Sequence, residues 1–222
     1  MMKKVIAVIL NLVIVLPLAM SQESEKSNFS IGFNIGGGQT ENAYRLTPDK
    51  YNFTYSEGDL HFTSGVNLAY FITGRLRPRF EFRYSEMKYG MNWAEEYTDF
   101  TRTDTKLYTM NLNLNIDYLL LNKNKFQLFA SPGLVSEFVA KAQHRNYRAD
   151  GETNLKNYSV LTDQYPDEIA GAAFSFLFKY KMNNHVGFTL TPGYTYYFKN
   201  FVPDNDKKYT KTTLNFGLEY TF

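Results

Sequence analysis

The sequence predicts an all-β protein, an eight-stranded antiparallel up-and-down transmembrane β-barrel. Three observations carry that expectation. Apolar and polar side chains alternate with a period of two through eight segments, the mark of strands with one oily and one wet face. No segment beyond the N-terminus reaches the roughly eighteen continuous apolar residues of a spanning helix. Short turns alternate strictly with long polar connections, which fits hairpins whose loops all open toward one end.

The first stretch, Met1 to Ser21, has Lys3 and Lys4, an apolar run from Val5 to Leu16, then Pro17 and Ala19-Met20-Ser21. That order reads as a cleaved secretory signal peptide, leaving residues 22–222 as the barrel. The last segment is the clearest strand. Leu214, Phe216, Leu218, Tyr220 and Phe222 alternate with Asn215, Gly217, Glu219 and Thr221. Tyr108, Met110, Leu112, Leu114, Ile116 and Tyr118 alternate in the same way with Thr109, Asn111, Asn113, Asn115 and Asp117, polar residues that no soluble core would bury unpaired. Six further segments follow the rule: Phe29 to Gly36, His61 to Thr73, Arg77 to about Gly90, Lys125 to about Phe138, Ile169 to Met182 and Val186 to Phe198. Several run ten residues or more, a length suited to tilted membrane-crossing strands.

Gly74, Asn122-Lys123-Asn124 and Asn183-Asn184 predict tight turns. The stretches from about Gln39 to Leu60, Met91 to Thr105, Val139 to Glu168 and Lys199 to Tyr209 are polar and predict long external loops. Within them, Asp49-Lys50 and Asp204 to Lys208 read as solvated charge. No internal repeat or domain boundary interrupts the pattern.

Composition narrows the function. The formal charge of +2 falls to about zero once Lys3 and Lys4 leave with the signal, so nucleic-acid binding lacks its electrostatic support. The chain has no cysteine, hence no disulfide or thiol chemistry. Gly36-Gly37-Gly38 lacks the Lys-Ser/Thr and helix of a phosphate loop, and it reads as the end of the first strand. His61, His144 and His185 fall at a loop-side strand start, in a long loop and at a turn, with no zinc or triad spacing. His61 and Ser64 are an odd step apart on a strand and so face opposite sides. Neither a cofactor nor an enzymatic activity is expected. Gly65 and Gly193 mark bends or close packing, and Pro78, Pro132 and Pro192 predict bulges or strand ends.

The terminal pattern Leu218, Tyr220, Phe222 resembles the last strand of outer-membrane barrel proteins, where a final aromatic residue guides the insertion machinery. The chain from residue 22 onward is similar to the small outer-membrane β-barrel proteins of Bacteroidota-type bacteria, often labelled porin-family or PorT-like, and in plan to the OmpA and OmpX barrels. That resemblance implies residence in a bacterial outer membrane. It also implies contact with lipid, lipopolysaccharide and the barrel-insertion machinery, with termini inside and a structural or interaction role through the external loops. A protein partner at those loops and a monomeric state are expected. A narrow porin and an accessory component of a secretion or gliding apparatus are the alternatives. Lipid A acylases and deacylases exist among small barrels, and no residue set here matches such chemistry.

If the oily residues face lipid, the interior holds Arg79, Glu81, Arg83, Asp117, Lys179, Lys181 and Glu219, all toward the short-turn ends. An eight-stranded barrel is only wide enough for its own side chains. These charges are expected to pair into an ionic plug, with Asp117 bonding Arg79 or Arg83. Tyr89, Trp93, Tyr108, Tyr196 and Phe198 toward the loops, and Tyr118, Tyr180 and Phe222 toward the turns, predict two interfacial girdles. A sugar-binding loop surface at Trp93 or Tyr97 is the alternative.

Overall fold

A computed structural model of the chain describes residues 29–41, 53–55, 59–93, 100–148, 150–151, 153–159, 168–199 and 209–222. The segment read as a signal peptide, Asp49-Lys50, Tyr97 and Asp204 to Lys208 lie outside the described residues. Described strands are β1 (Phe29–Glu41), β2 (Phe53–Tyr55), β3 (Asp59–Tyr70), β4 (Leu76–Trp93), β5 (Phe100–Lys123), β6 (Phe126–Arg148), β7 (Thr153–Ser159), β8 (Ile169–Lys181), β9 (Val186–Tyr197) and β10 (Thr210–Thr221).

Every pairing is antiparallel, and β1, β3, β4, β5, β6, β8, β9 and β10 follow one another around a ring that β1 and β10 close, from Ser30 opposite Thr221 to Glu41 opposite Thr210. An eight-stranded barrel is therefore the fold, as the period of two requires. β2 pairs with the end of β4, and β7 with the end of β6.

The two faces are the reverse of a water-soluble protein. Leu114, Leu134 and Phe216 are 53%, 62% and 56% exposed, while their chain neighbours Asn113, Asn115, Val135 and Asn215 are buried. An apolar outer band around a polar interior is stable only where hydrocarbon surrounds the band.

The predicted turns stand. Asn124 follows β5 with φ 54°, in the left-handed region that asparagine tolerates. The side chain of Asn183 accepts from the backbone N–H of His185 and Val186 at 2.8 and 2.7 Å, the self-bonding that favours asparagine in turns.

Three expectations are corrected. Gly36-Gly37-Gly38 does not end the first strand, which runs on to Glu41. A Cβ on Gly36 or Gly38 would run into the carbonyl oxygens of Leu214 and Thr212, so these glycines allow close approach at the β1–β10 seam. The prolines neither bulge nor end their strands: Pro78 lies opposite Ile116 and Pro192 opposite Leu214, and the β5–β6 register is the same on both sides of Pro132. The register shifts of β5–β6 fall elsewhere, at Phe100/Arg102, Tyr108/Thr109 and Leu119/Leu121. Finally, parts of three expected loops are strand, the first of them holding the end of β1, β2 and the start of β3. β5 begins at Phe100 and β6 continues to Arg148, so His144 is a strand residue whose ring Nδ1 lies 2.8 Å from Thr105 Oγ1. Polar side chains hid these extensions because both of their faces are wet.

Candidate functional site

The inward positions of β4 are Arg77, Arg79, Glu81, Arg83, Ser85 and Met87, set by the two-residue alternation. Asp117 on β5 lies directly opposite Arg77. Arg77 is fully buried, and its Nε and Nη2 donate to Asp117 Oδ2 at 3.0 and 2.9 Å. Its Nη1 donates to Glu219 Oε1 at 2.7 Å. Arg79 Nε donates to the Asp117 carboxylate, at 2.9 Å to Oδ2 and 3.1 Å to Oδ1. Arg79 also pairs with Glu81, whose other oxygen holds Arg83 Nη2 at 2.6 Å and accepts from Asn113 Nδ2 at 3.3 Å. At the opposite end, Lys179 Nζ donates to Glu219 at 2.5 Å and to Thr221 Oγ1 at 3.3 Å.

These contacts form one alternating chain across the lumen: Lys179, Glu219, Arg77, Asp117, Arg79, Glu81, Arg83. Each internal carboxylate bridges two cations, which is how buried charges replace lost hydration. The Arg77 guanidinium also lies 4.8 Å from the Phe129 ring centroid and 5.2 Å from that of Phe71. Phe71 and Phe129 pack with Leu119 and Leu177 in an apolar cluster near the short turns, so the chain is covered on that side.

A second charge pair lies toward the loops. Lys211 Nζ donates to both Glu137 oxygens, at 2.9 and 3.1 Å, and Thr109 Oγ1 donates to Oε1 at 2.6 Å. The Tyr197 hydroxyl donates to Glu137 Oε2. The Tyr197 and Tyr209 rings stack at 4.2 Å and 12°, with Lys211 Nζ 5.9 Å from each centroid. Met87, Leu107, Val135, Ala142, Ile169 and the two tyrosines close an apolar cluster there. Between the two charge layers lies a cavity of about 20 Å³, lined by residues including His61, Thr63, Arg83, Asn111 and Asn113. That is room for a water or two.

Of the residues expected inside, Arg79, Glu81, Arg83, Asp117, Lys179 and Glu219 thus come together. Lys181 does not: it is half-buried and has no ion-pair partner among the described residues. The expected partner of Asp117 is corrected in part, because Arg83 bonds Glu81 and the missed Arg77 shares Asp117 with Arg79. Arg77, Glu137 and Lys211 all have the inward parity of their strands: Arg77 opens its expected segment, Glu137 lies near the end of Lys125 to Phe138, and Lys211 precedes the segment that begins at Leu214. His61 stands near the loop-side start of β3, as expected, and its side chain is buried in the lumen.

Leu218, Tyr220 and Phe222 face outward and are exposed, the Phe222 ring lying 5.7 Å from that of Phe29 across the closure seam. Tyr196, Phe198, Tyr118 and Tyr180 are also exposed on the outer face, and Tyr108 stacks on Tyr84 at 6.1 Å. The side chains of Tyr89 and Trp93 lie outside the described ones.

No protein-family model matches the chain, and no curated protein does. Solved structures match the whole barrel. Neisserial surface protein A is 15% identical over 90% of this chain and 100% of its own, with a TM-score of 0.52. The outer membrane protein OprG of Pseudomonas aeruginosa is 13% identical over 89% of this chain and 97% of its own, with a TM-score of 0.50. The chain has the fold of small outer-membrane β-barrels. At such identities the likeness is one of fold, and function has to be argued from the lumen and the rim.

Proposed function

We propose that this protein is a monomeric, non-enzymatic barrel of a bacterial outer membrane, exported by its N-terminal signal. In this reading its lumen is closed, and its work is done by the loop end, which meets a protein partner or a surface molecule such as lipopolysaccharide. The Bacteroidota-type, porin-family likeness of the sequence fits that assignment and adds no specific activity to it. One observation carries the reading: seven alternating charges bonded across the interior, with an apolar cluster on either side. Solute passage would require breaking buried ion pairs, at a cost of several kcal/mol for each partner stranded.

The upper halves of β5 and β6 support the second half of the proposal. From Thr101 to Lys106 and from Gln143 to Arg148 both faces are polar, and side chains bond across the ribbon: Thr103 Oγ1 donates to Asn146 Oδ1 at 2.9 Å and the Tyr147 hydroxyl to Asp104 at 3.2 Å. Such a ribbon belongs in water. Planar-bilayer recording from purified monomer tests the closed lumen. Silent bilayers at neutral pH are the expected result, and stable, large, single-step channels would overturn it in favour of a narrow porin.

A further inference from the structure

The lumen charges do not balance. Among the described residues, the chain from Lys179 to Arg83 contains four cations and three carboxylates, while Lys211 and Glu137 form a neutral pair. The excess positive charge has two ends at which to settle. Lys179 lies at the short-turn end beside half-buried Thr221, where water reaches the strand terminus. Arg83 lies inside, against the cavity.

Several polar groups of the cavity lining have no partner among the described residues. Arg83 Nε is buried and makes no hydrogen bond among the described residues, and neither do both ring nitrogens of His61 nor Thr63 Oγ1. His61 and Thr63 are 4% and 2% exposed. Even as a neutral ring His61 presents one N–H, and threonine presents its hydroxyl. Asn113 Oδ1 is an unpartnered acceptor in the same lining, and it can take a single N–H. A guanidinium at the end of an unbalanced chain, with its Nε buried and unbonded beside an unbonded hydroxyl and imidazole, is an incomplete coordination shell. What would complete it has negative charge, accepts several hydrogen bonds at once and is small.

We propose that this cavity binds a single monatomic anion of the size of chloride, held by Arg83 Nε, His61 and Thr63 Oγ1 and neutralising the cationic end of the ion-pair chain. The volume of about 20 Å³ admits such an ion. The inference rests on the closed-lumen reading, because a conducting lumen would let bulk water do the same work.

Bromide serves as the probe, since it replaces chloride and scatters anomalously. The folded barrel in detergent is exchanged into sodium bromide or, at equal ionic strength, sodium gluconate, whose anion is too large for the cavity. The expected results are an anomalous peak between Arg83 and Thr63 in bromide crystals, and a thermal unfolding midpoint that rises saturably with bromide but not with gluconate. Arg83→Gln removes both the charge and the Nε donor and abolishes the bromide dependence. Thr63→Val, which keeps shape and charge, weakens it roughly tenfold, the loss expected for one hydrogen bond to an ion, and this milder variant decides the matter if Arg83→Gln fails to fold. Density in the cavity without anomalous signal, together with identical unfolding in the two salts, means water alone and overturns the proposal. Conductance, measured separately, tells this failure apart from an open lumen: a silent barrel with no bromide site refutes the anion and leaves the closed lumen standing.

Discussion

Asp117 is the residue on which the lumen turns, because its single carboxylate receives both Arg77 and Arg79 in a position fully shielded from water. Asp117→Ala leaves two buried guanidinium groups sharing one fewer anion. The barrel is expected to lose about 3–5 kcal/mol, read as a shift of the urea midpoint in detergent micelles. The pair Arg102–Asp104 on the polar ribbon, 52% and 35% exposed, provides the contrast: Arg102→Ala should change stability by less than about 1 kcal/mol. Equal effects from the two substitutions would mean that the lumen is wet. At this scale the alternation made the face of each charged residue legible, since Arg79, Glu81, Arg83, Asp117, Lys179 and Glu219 all fall on the inner parity. Their partners were not legible. Arg77 and Asp117 are 40 residues apart in the sequence, so nothing local fixes that Arg77, and not Arg83, stands opposite Asp117.

Strand ends show the same division between what is local and what is not. Turns at Asn124 and Asn183 could be read because asparagine tolerates the left-handed backbone of the first and its side chain accepts the backbone N–H groups of the second. Gly36 and Gly38 could not, because the need for glycine there comes from β10, which is nearly the whole chain away and presents its carbonyl oxygens where side chains would stand. Gly38→Val should therefore cost about 1–3 kcal/mol by overpacking the seam and slow refolding into detergent. Gly74→Ala is the control, for its turn position has open space around it and should tolerate the methyl group. A neutral Gly38→Val would show that the seam is looser than its register implies. On the lipid side the cost follows depth. Leu114→Arg, in the middle of β5 and 53% exposed to the surrounding medium, should destabilise the barrel in bilayers by about 2–4 kcal/mol.

Taken as a molecule, the protein is a short barrel with a tall side. A strand needs about 9–11 residues to cross the hydrocarbon, whereas β5 and β6 have 24 and 23. The surplus at roughly 3.3 Å per residue lifts the β5–β6 ribbon, with β7 on its edge, tens of ångströms beyond the apolar band. The remaining ring does not depend on that ribbon, since its closure runs through β1 and β10 and its charge chain through the lower parts of β4, β5, β8 and β10. Replacing residues 143–167 by a short Gly/Ser link should consequently leave the barrel folded. In an unboiled gel the shortened protein should still migrate differently from its boiled form, as the intact protein is expected to do. Binding of whatever the loop end meets should vanish with the ribbon, while silence in planar bilayers persists. If the shortened protein instead migrated identically before and after boiling, the ribbon would be part of what closes the sheet, and barrel and interaction surface could no longer be treated as separable parts.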